Sequence, residues 1–267
     1  MRLTIVTIFP DYFAGALADG MVRVALDKAK LQVDVVNLRD HTDDPHRTVD
    51  DSPFGGGAGM VLKVEPIDRA LASVGVGEKG ARPPRTRVLL TSPQGRTFTQ
   101  RTAIEWAILD HVVIVCGRYK GVDERVSEHF IDEEFSIGDF VLSGGEPAAL
   151  VVMDALARLQ PDVVGKFDSV ESDSFHSGLL DCAYWTRPAE YKGWPVPEVL
   201  TSGHHAKIER ARREQALART FERRPDLLEH ADLDGDDRKF LGGLQRAKEA
   251  AKRAAASGDG DAGSGSS

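Results

Sequence analysis

The chain has 267 residues, 41% of them hydrophobic, and carries a formal charge of −8 with an isoelectric point near 5.5. That length holds one large domain or two modest ones, and the acidic balance excludes a basic coat over the whole surface while leaving room for a local basic patch. Cys116 and Cys182 lack C-x-x-C spacing and so provide neither a disulfide framework nor a zinc site. No apolar stretch approaches the ~20 residues that span a bilayer. The opening segment Met1 to Phe9 is too short and strand-like for a signal peptide. A reducing, cytoplasmic setting is expected.

From the N-terminus, Val/Ile-rich runs predict strands over residues 3–9, 32–38, 87–91, 111–116 and 134–137. Helical periodicity falls between and after them, over 12–29, 65–74, 99–109, 123–129 and 146–159. Alternation of this kind predicts an α/β domain over 1–160, with a mostly parallel sheet covered by helices. Residues 161–178 change character. Ser169, Ser172, Asp173, Ser174 and Ser177 form a polar run without an apolar period, which predicts a flexible interdomain linker.

A small all-helical domain is expected over 179–256. Its first long helix, 206–223, is broken by Pro225, and another follows over 236–253. The first is dense in Lys207, Arg210, Arg212, Arg213, Arg219 and Arg223. Such a helix reads either as a solvated face laced with i,i+4 pairs or as a phosphate-binding surface. The Gly/Ser/Asp-rich tail 257–267 is expected to be disordered.

Three glycine-bearing segments follow strand signals: Ser92-Pro93-Gln94-Gly95, Cys116-Gly117-Arg118-Tyr119-Lys120-Gly121, and the run from Ser136 to Pro147 that contains Gly144-Gly145. None matches the dinucleotide or P-loop fingerprints. Taken singly, each reads as a tight turn. Three such loops after three parallel strands point to one shared binding edge, where backbone groups would meet a polar ligand.

These segments, together with Arg47-Thr48-Val49-Asp50-Asp51, Gly55-Gly56-Gly57-Ala58-Gly59-Met60, Asp123-Glu124-Arg125-Val126, Asp173-Ser174-Phe175, Gly178-Leu179-Leu180-Asp181, Tyr184-Trp185-Thr186-Arg187-Pro188 and Ser202-Gly203, resemble the bacterial tRNA (guanine-N1)-methyltransferases in order over residues 1 to about 228. The resemblance implies a SPOUT-class fold with a deep trefoil knot in the first domain. It further implies S-adenosyl-L-methionine as methyl donor, tRNA as substrate, and a homodimer with its active site at the subunit interface. The reaction implied is methylation of N1 of the guanine immediately 3′ of the anticodon, tRNA position 37. Magnesium dependence is also implied. No D-x-D or other dedicated cage is evident, which fits a loosely held, water-rich ion.

Carried onto this sequence, the family's cofactor positions are Thr91, Ser92, Gly117, Tyr119, Ile137, Gly138, Leu142, Gly144 and Gly145. Without the resemblance, Ile137 and Leu142 read as ordinary core. Guanine N1 bears a proton at neutral pH, so methylation needs a carboxylate at N1–H and a cation near O6, where negative charge develops. Asp173 matches the family's general base and Arg158 its O6 stabiliser. By themselves they would read as a helix cap and as a cation against a helix dipole. Asp50, Ser202, His205, Arg210 and Arg213 are the expected tRNA contacts. The sequence departs from the family pattern at Lys120, where many relatives carry Glu, and at Phe140, Ala148 and Ala58.

Overall fold

The computed structural model of the protein describes residues 1–165 and 173–258. The chain divides into two compact units, Met1–Val170 and Glu171–Ser267.

In the first unit the strands are β1 (Arg2–Thr7), β2 (Gln32–Asn37), a short pair β3 (Asp50–Asp51) and β4 (Val61–Leu62), β5 (Thr86–Thr97), β6 (His111–Val115) and β7 (Glu133–Ser136). The helices are α1 (Ala14–Ala18), α2 (Gly20–Asp27), α3 (Val64–Ser73), α4 (Gln100–Ala107), α5 (Glu124–His129) and α6 (Glu146–Arg158). Five strands form one sheet in the order β2-β1-β6-β5-β7, and every pairing in it is parallel.

Strand alternation sends neighbouring side chains to opposite faces. Leu3, Ile5, Leu89, Val112 and Ile114 pack with Val152, Met153 and Leu156 of α6 on one face. Val6, Val88, Leu90, Val113 and Val115 pack with Ile67, Ala70 and Leu71 of α3 on the other. Both faces are covered, which is why the strands read as unbroken apolar runs.

Two elements differ from expectation. The helix predicted over 12–29 is divided into a 3-10 turn (Pro10–Phe13), α1 and α2. Asp19 is extended at the break and its carboxylate accepts the Gly20 N–H at 2.7 Å, a local bond that competes with helix continuation. Strand β5 runs past its predicted end at residue 91. Thr91 and Arg96 both pair with Phe135, so residues 92–95 loop out and the strand then resumes. Pro93 and Gly95 mask that resumption in the sequence.

The expected linker is also shorter than 161–178 where it is described. Val163 is buried in the first unit's core, and Lys28 and Lys30 bind Asp162 at 2.6 and 2.8 Å. At the other end, the Phe175 N–H donates to Leu179 O at 2.7 Å and the Asp181 N–H to Ser174 Oγ at 2.9 Å, within the second unit. The intervening 166–172 lie outside the described residues.

The second unit carries a hairpin of β8 (Glu190–Tyr191) and β9 (Trp194–Pro195), then α7 (Glu198–Thr201), α8 (His205–Arg223) and α9 (Gly235–Gly258). The hairpin corrects the all-helical expectation. Positive φ at Lys192 (52°) and Gly193 (79°) provides its two-residue turn. Helix α9 extends to Gly258, two residues into the expected tail, and 259–267 lie outside the described residues. Among the described residues no helix is long and apolar enough to cross a membrane.

Candidate active site

A cavity of about 410 Å³ opens beyond the C-terminal ends of β6 and β7, beside the looped-out residues of β5. Its wall is the three glycine-bearing loops, at 92–95, 116–121 and 137–145. Thr91, Ser92, Gly117, Tyr119, Ile137, Gly138, Leu142, Gly144 and Gly145 all line it.

Backbone contacts hold the loops together. The Gly117 N–H donates to Thr91 Oγ1 at 2.9 Å, the Gly145 N–H donates to Gly117 O at 2.9 Å, and Arg118 pairs with Gly144 as an antiparallel bridge. A Cβ at position 145 would overlap Thr91 Oγ1, so only glycine allows this approach. Tyr119 has φ of 59°, a strained conformation for a bulky residue. The turn around it is fixed by bonds from Lys120 N to Met60 O at 3.0 Å and from Gly121 N to Arg118 O at 2.9 Å.

Apolar Leu90, Ile137 and Leu142 share the wall with main-chain groups and with Arg118, Lys120, Glu124 and Glu134. An apolar slot edged by backbone donors and acceptors suits a nucleoside-bearing ligand. Adjoining it is a second cavity of about 640 Å³, whose lining includes Phe9, Tyr12 and Glu146 and which shares Arg118, Leu142, Ser143 and Gly144 with the first. Large apolar side chains stand exposed around both, among them Tyr12 at 51%, Phe140 at 56% and Val141 at 99%.

A buried carboxylate lies between the cavities. Glu146, at the start of α6, accepts the Thr7 hydroxyl at 2.8 Å and pairs with Arg118 Nη1 at 3.3 Å. Burial pushes the neighbouring Cys116 thiol well above its ordinary value, and the Glu146 charge adds to that shift. Neither Glu146 nor Arg118 carries an expected role from the sequence. The available signal was an acid and an arginine beside two of the glycine turns.

The remaining expected residues belong to both units. Arg158 ends α6 in the first unit and Asp173 opens the described part of the second. Asp50 sits on β3 opposite Leu62. Nearby Arg47 is engaged by Asp40, and its Nε donates to Arg39 O at 3.2 Å. Ser202 donates to Val199 O at 2.8 Å at the end of α7, while His205 is exposed at the first position of α8.

Arg210 and Arg213 are engaged inside the second unit. Both bind Asp237, whose side chain is 1% exposed: Arg210 Nη1 at 3.2 Å and Arg213 Nη2 at 2.8 Å. Arg210 also pairs with Glu214 at 2.8 Å, and Arg213 donates to Asp232 O at 2.8 Å. Their charge is taken up inside the second unit, because a buried carboxylate must be paired. Exposed Lys207 and Arg223 carry no such commitment. Among the described residues no group of three or more His, Cys, Asp or Glu side chains could hold a metal ion, so the expected Mg2+ finds no protein cage here.

Comparison with known proteins decides the family. Residues 1–230 match the model described as tRNA (Guanine-1)-methyltransferase TrmD. The chain belongs to this family. A tRNA (guanine-N(1)-)-methyltransferase of Geobacter metallireducens is 51% identical over 241 residues, covering 90% of this chain and 96% of that protein. Proteins of the same name from Dehalococcoides mccartyi and Brevibacillus brevis are each 48% identical, covering 90% and 93% of this chain and 96% and 100% of theirs. Membership makes the chain a tRNA (guanine-N1)-methyltransferase, and the class uses S-adenosylmethionine as its methyl donor.

Proposed function

We propose that the chain methylates N1 of the guanine immediately 3′ of the anticodon, tRNA position 37, and that the first unit's cavity holds S-adenosylmethionine. What supports this reading is the convergence of all nine family cofactor positions on one cavity of about 410 Å³. Leu90, Ile137 and Leu142 would enclose the adenine, and the glycine-lined backbone of the three loops would orient the nucleoside. The cofactor supplies an electrophilic methyl group on a sulfonium.

The protein's part is positioning and proton handling. The carboxylate of Asp173 accepts the N1 proton as the guanine nitrogen attacks. Arg158 stabilises the charge that develops on O6. We further infer a homodimer in which Asp173 of one protomer serves its partner's cavity, and the exposed Phe140, Val141 and Tyr12 beside the site support a covered face there. The trefoil knot is part of the same reading, supported by the pairing of Gly144 and Gly145 with the earlier loop at Gly117 and Arg118. Asp50, Ser202, His205, Arg210 and Arg213 are the proposed tRNA contacts, joined by exposed Lys207 and Arg223, whose charge is not drawn onto Asp237. A water-rich Mg2+ would act through solvent, and no step is assigned to it.

Methyl transfer from labelled cofactor to tRNA transcripts tests the function. Incorporation is expected with guanine at position 37 and lost when adenine replaces it. Incorporation independent of that base overturns the assignment. For the dimer, Asp173→Asn and Gly144→Trp homodimers should each be nearly inactive, and mixing after subunit exchange should restore up to about a quarter of wild-type activity. No recovery after verified exchange contradicts the shared site.

A further inference from the structure

Arg118 lines the cavity assigned to the methyl donor. A guanidinium does not deprotonate in proteins, so this wall carries a fixed positive charge. The donor is itself a cation, whereas its demethylated product is a neutral thioether. An uncompensated arginine would therefore oppose the donor and leave the product unaffected.

The fold surrounds that arginine. Its Cζ lies 4.5 Å from the centre of the Phe9 ring, on whose π-face it is held. Glu146 faces it with a side chain only 1% exposed, anchored by the Thr7 hydroxyl at 2.8 Å. A Cβ at Gly144 would fall 2.5 Å from both Arg118 Nη1 and Glu146 Oε2, so the ion pair fills the space a side chain would need. Position 144 is bare because the pair passes there. Helix α6 contributes as well, since Glu146 occupies its first turn and the N-terminal dipole favours a carboxylate.

We propose that Glu146 is the counter-charge that neutralises Arg118 and so sets the preference of the cavity between the sulfonium donor and its thioether product. The inference rests on the assignment of this cavity to S-adenosylmethionine. Glu146 touches no reacting atom; it is a positioning residue that acts through Arg118. The other charged side chains of the wall, Lys120, Glu124 and Glu134, lie outside the pair. Charge in a partly buried wall is weakly screened, so its sign is felt by a ligand that differs by one unit of charge.

Calorimetry of the full-length protein with S-adenosylmethionine and with S-adenosylhomocysteine tests this. The quantity read is the ratio of the two dissociation constants, donor over product. Glu146→Gln keeps the shape and an acceptor for Thr7, and should raise the ratio roughly tenfold. Arg118→Gln leaves the carboxylate in excess and should lower it. The double variant should return within about twofold of wild type. Equal weakening of both ligands in Glu146→Gln, or a shift of the same sign in both single variants, overturns the proposal, because loosened packing has no reason to distinguish the ligands. Should Glu146→Gln fail to fold, the fall in ratio for Arg118→Gln still decides. Wild-type protein that binds neither ligand instead overturns the cavity assignment itself.

Discussion

The first unit and the second handle charge in different ways. The first builds its cavity from main-chain groups, with glycine where two backbones must close, and covers the buried acid Glu146 with Thr7 and Arg118. The second is rich in arginine along α8, yet Arg210 and Arg213 are drawn onto Asp237, and Arg219 donates to the Asp181 and Cys182 carbonyls at 3.2 Å. The lesson is that the density of basic residues on a helix does not measure the charge offered to a partner. Burial of one carboxylate is enough to claim two guanidinium groups.

The sharpest test of the contrast is catalytic. Asp173→Asn keeps shape and loses basicity, so turnover should fall on the order of 10²–10⁴-fold with cofactor binding retained. Single-turnover rates near wild type would remove Asp173 from the chemistry. Next in size, Gly145→Val pushes a side chain into Thr91 Oγ1. Cofactor affinity in calorimetry should drop on the order of 100-fold, while a surface glycine such as Gly15→Ala should change it little.

In the second unit, Asp237→Ala should destabilise α8 and α9 by about 2–4 kcal/mol, since both arginines lose their partner. Thermal unfolding checks this, and cofactor binding should be unchanged. Burial pushes the Asp237 carboxyl up, but hydrogen bonds from Arg213 and the Asp234 backbone, with the charges of Arg213 and Arg210, leave it below its ordinary value. A depressed folded value means the stabilisation is present above the unfolded value of about 3.9 and is lost as pH falls through the folded one. The loss of second-unit stability below about pH 4 should therefore be smaller in Asp237→Asn than in wild type, the remainder coming from other carboxylates such as Asp226.

The smallest expected effect separates available charge from committed charge. Lys207→Ala with Arg223→Ala should weaken tRNA binding and reduce the logarithmic salt slope by about 2. Arg210→Ala with Arg213→Ala should instead lower the melting temperature. A larger salt-slope change in the second pair would make those arginines the stronger phosphate contacts.

Much of the first unit was legible because the information is local. Val/Ile runs such as 111–115 have one extended solution, and the stripe Ile67, Ala70, Leu71 has one helical solution. That nine particular positions line one cavity was legible only through the family, since nothing in Ile137 or Leu142 alone separates a cavity wall from a core. Missed were the resumption of β5 at Arg96 after the loop 92–95, the hairpin over 190–195 and the division of the first helix at Asp19. Each hangs on one or two hydrogen-bonding residues rather than on a period.

By itself, then, the order of residues determined the alternation of strand and helix, the two-sided cover of a parallel sheet and the placing of glycine where loops must turn. Tertiary structure alone decided which charged side chains meet which partners. Glu146 finds Thr7 across 139 positions of chain, and Arg118 across 28. Arg210 and Arg213 find Asp237 across 27 and 24. Such pairs form because a charge taken out of water must be compensated by whatever the fold brings near, and that neighbour is set by sheet register and helix packing, which no local pattern records.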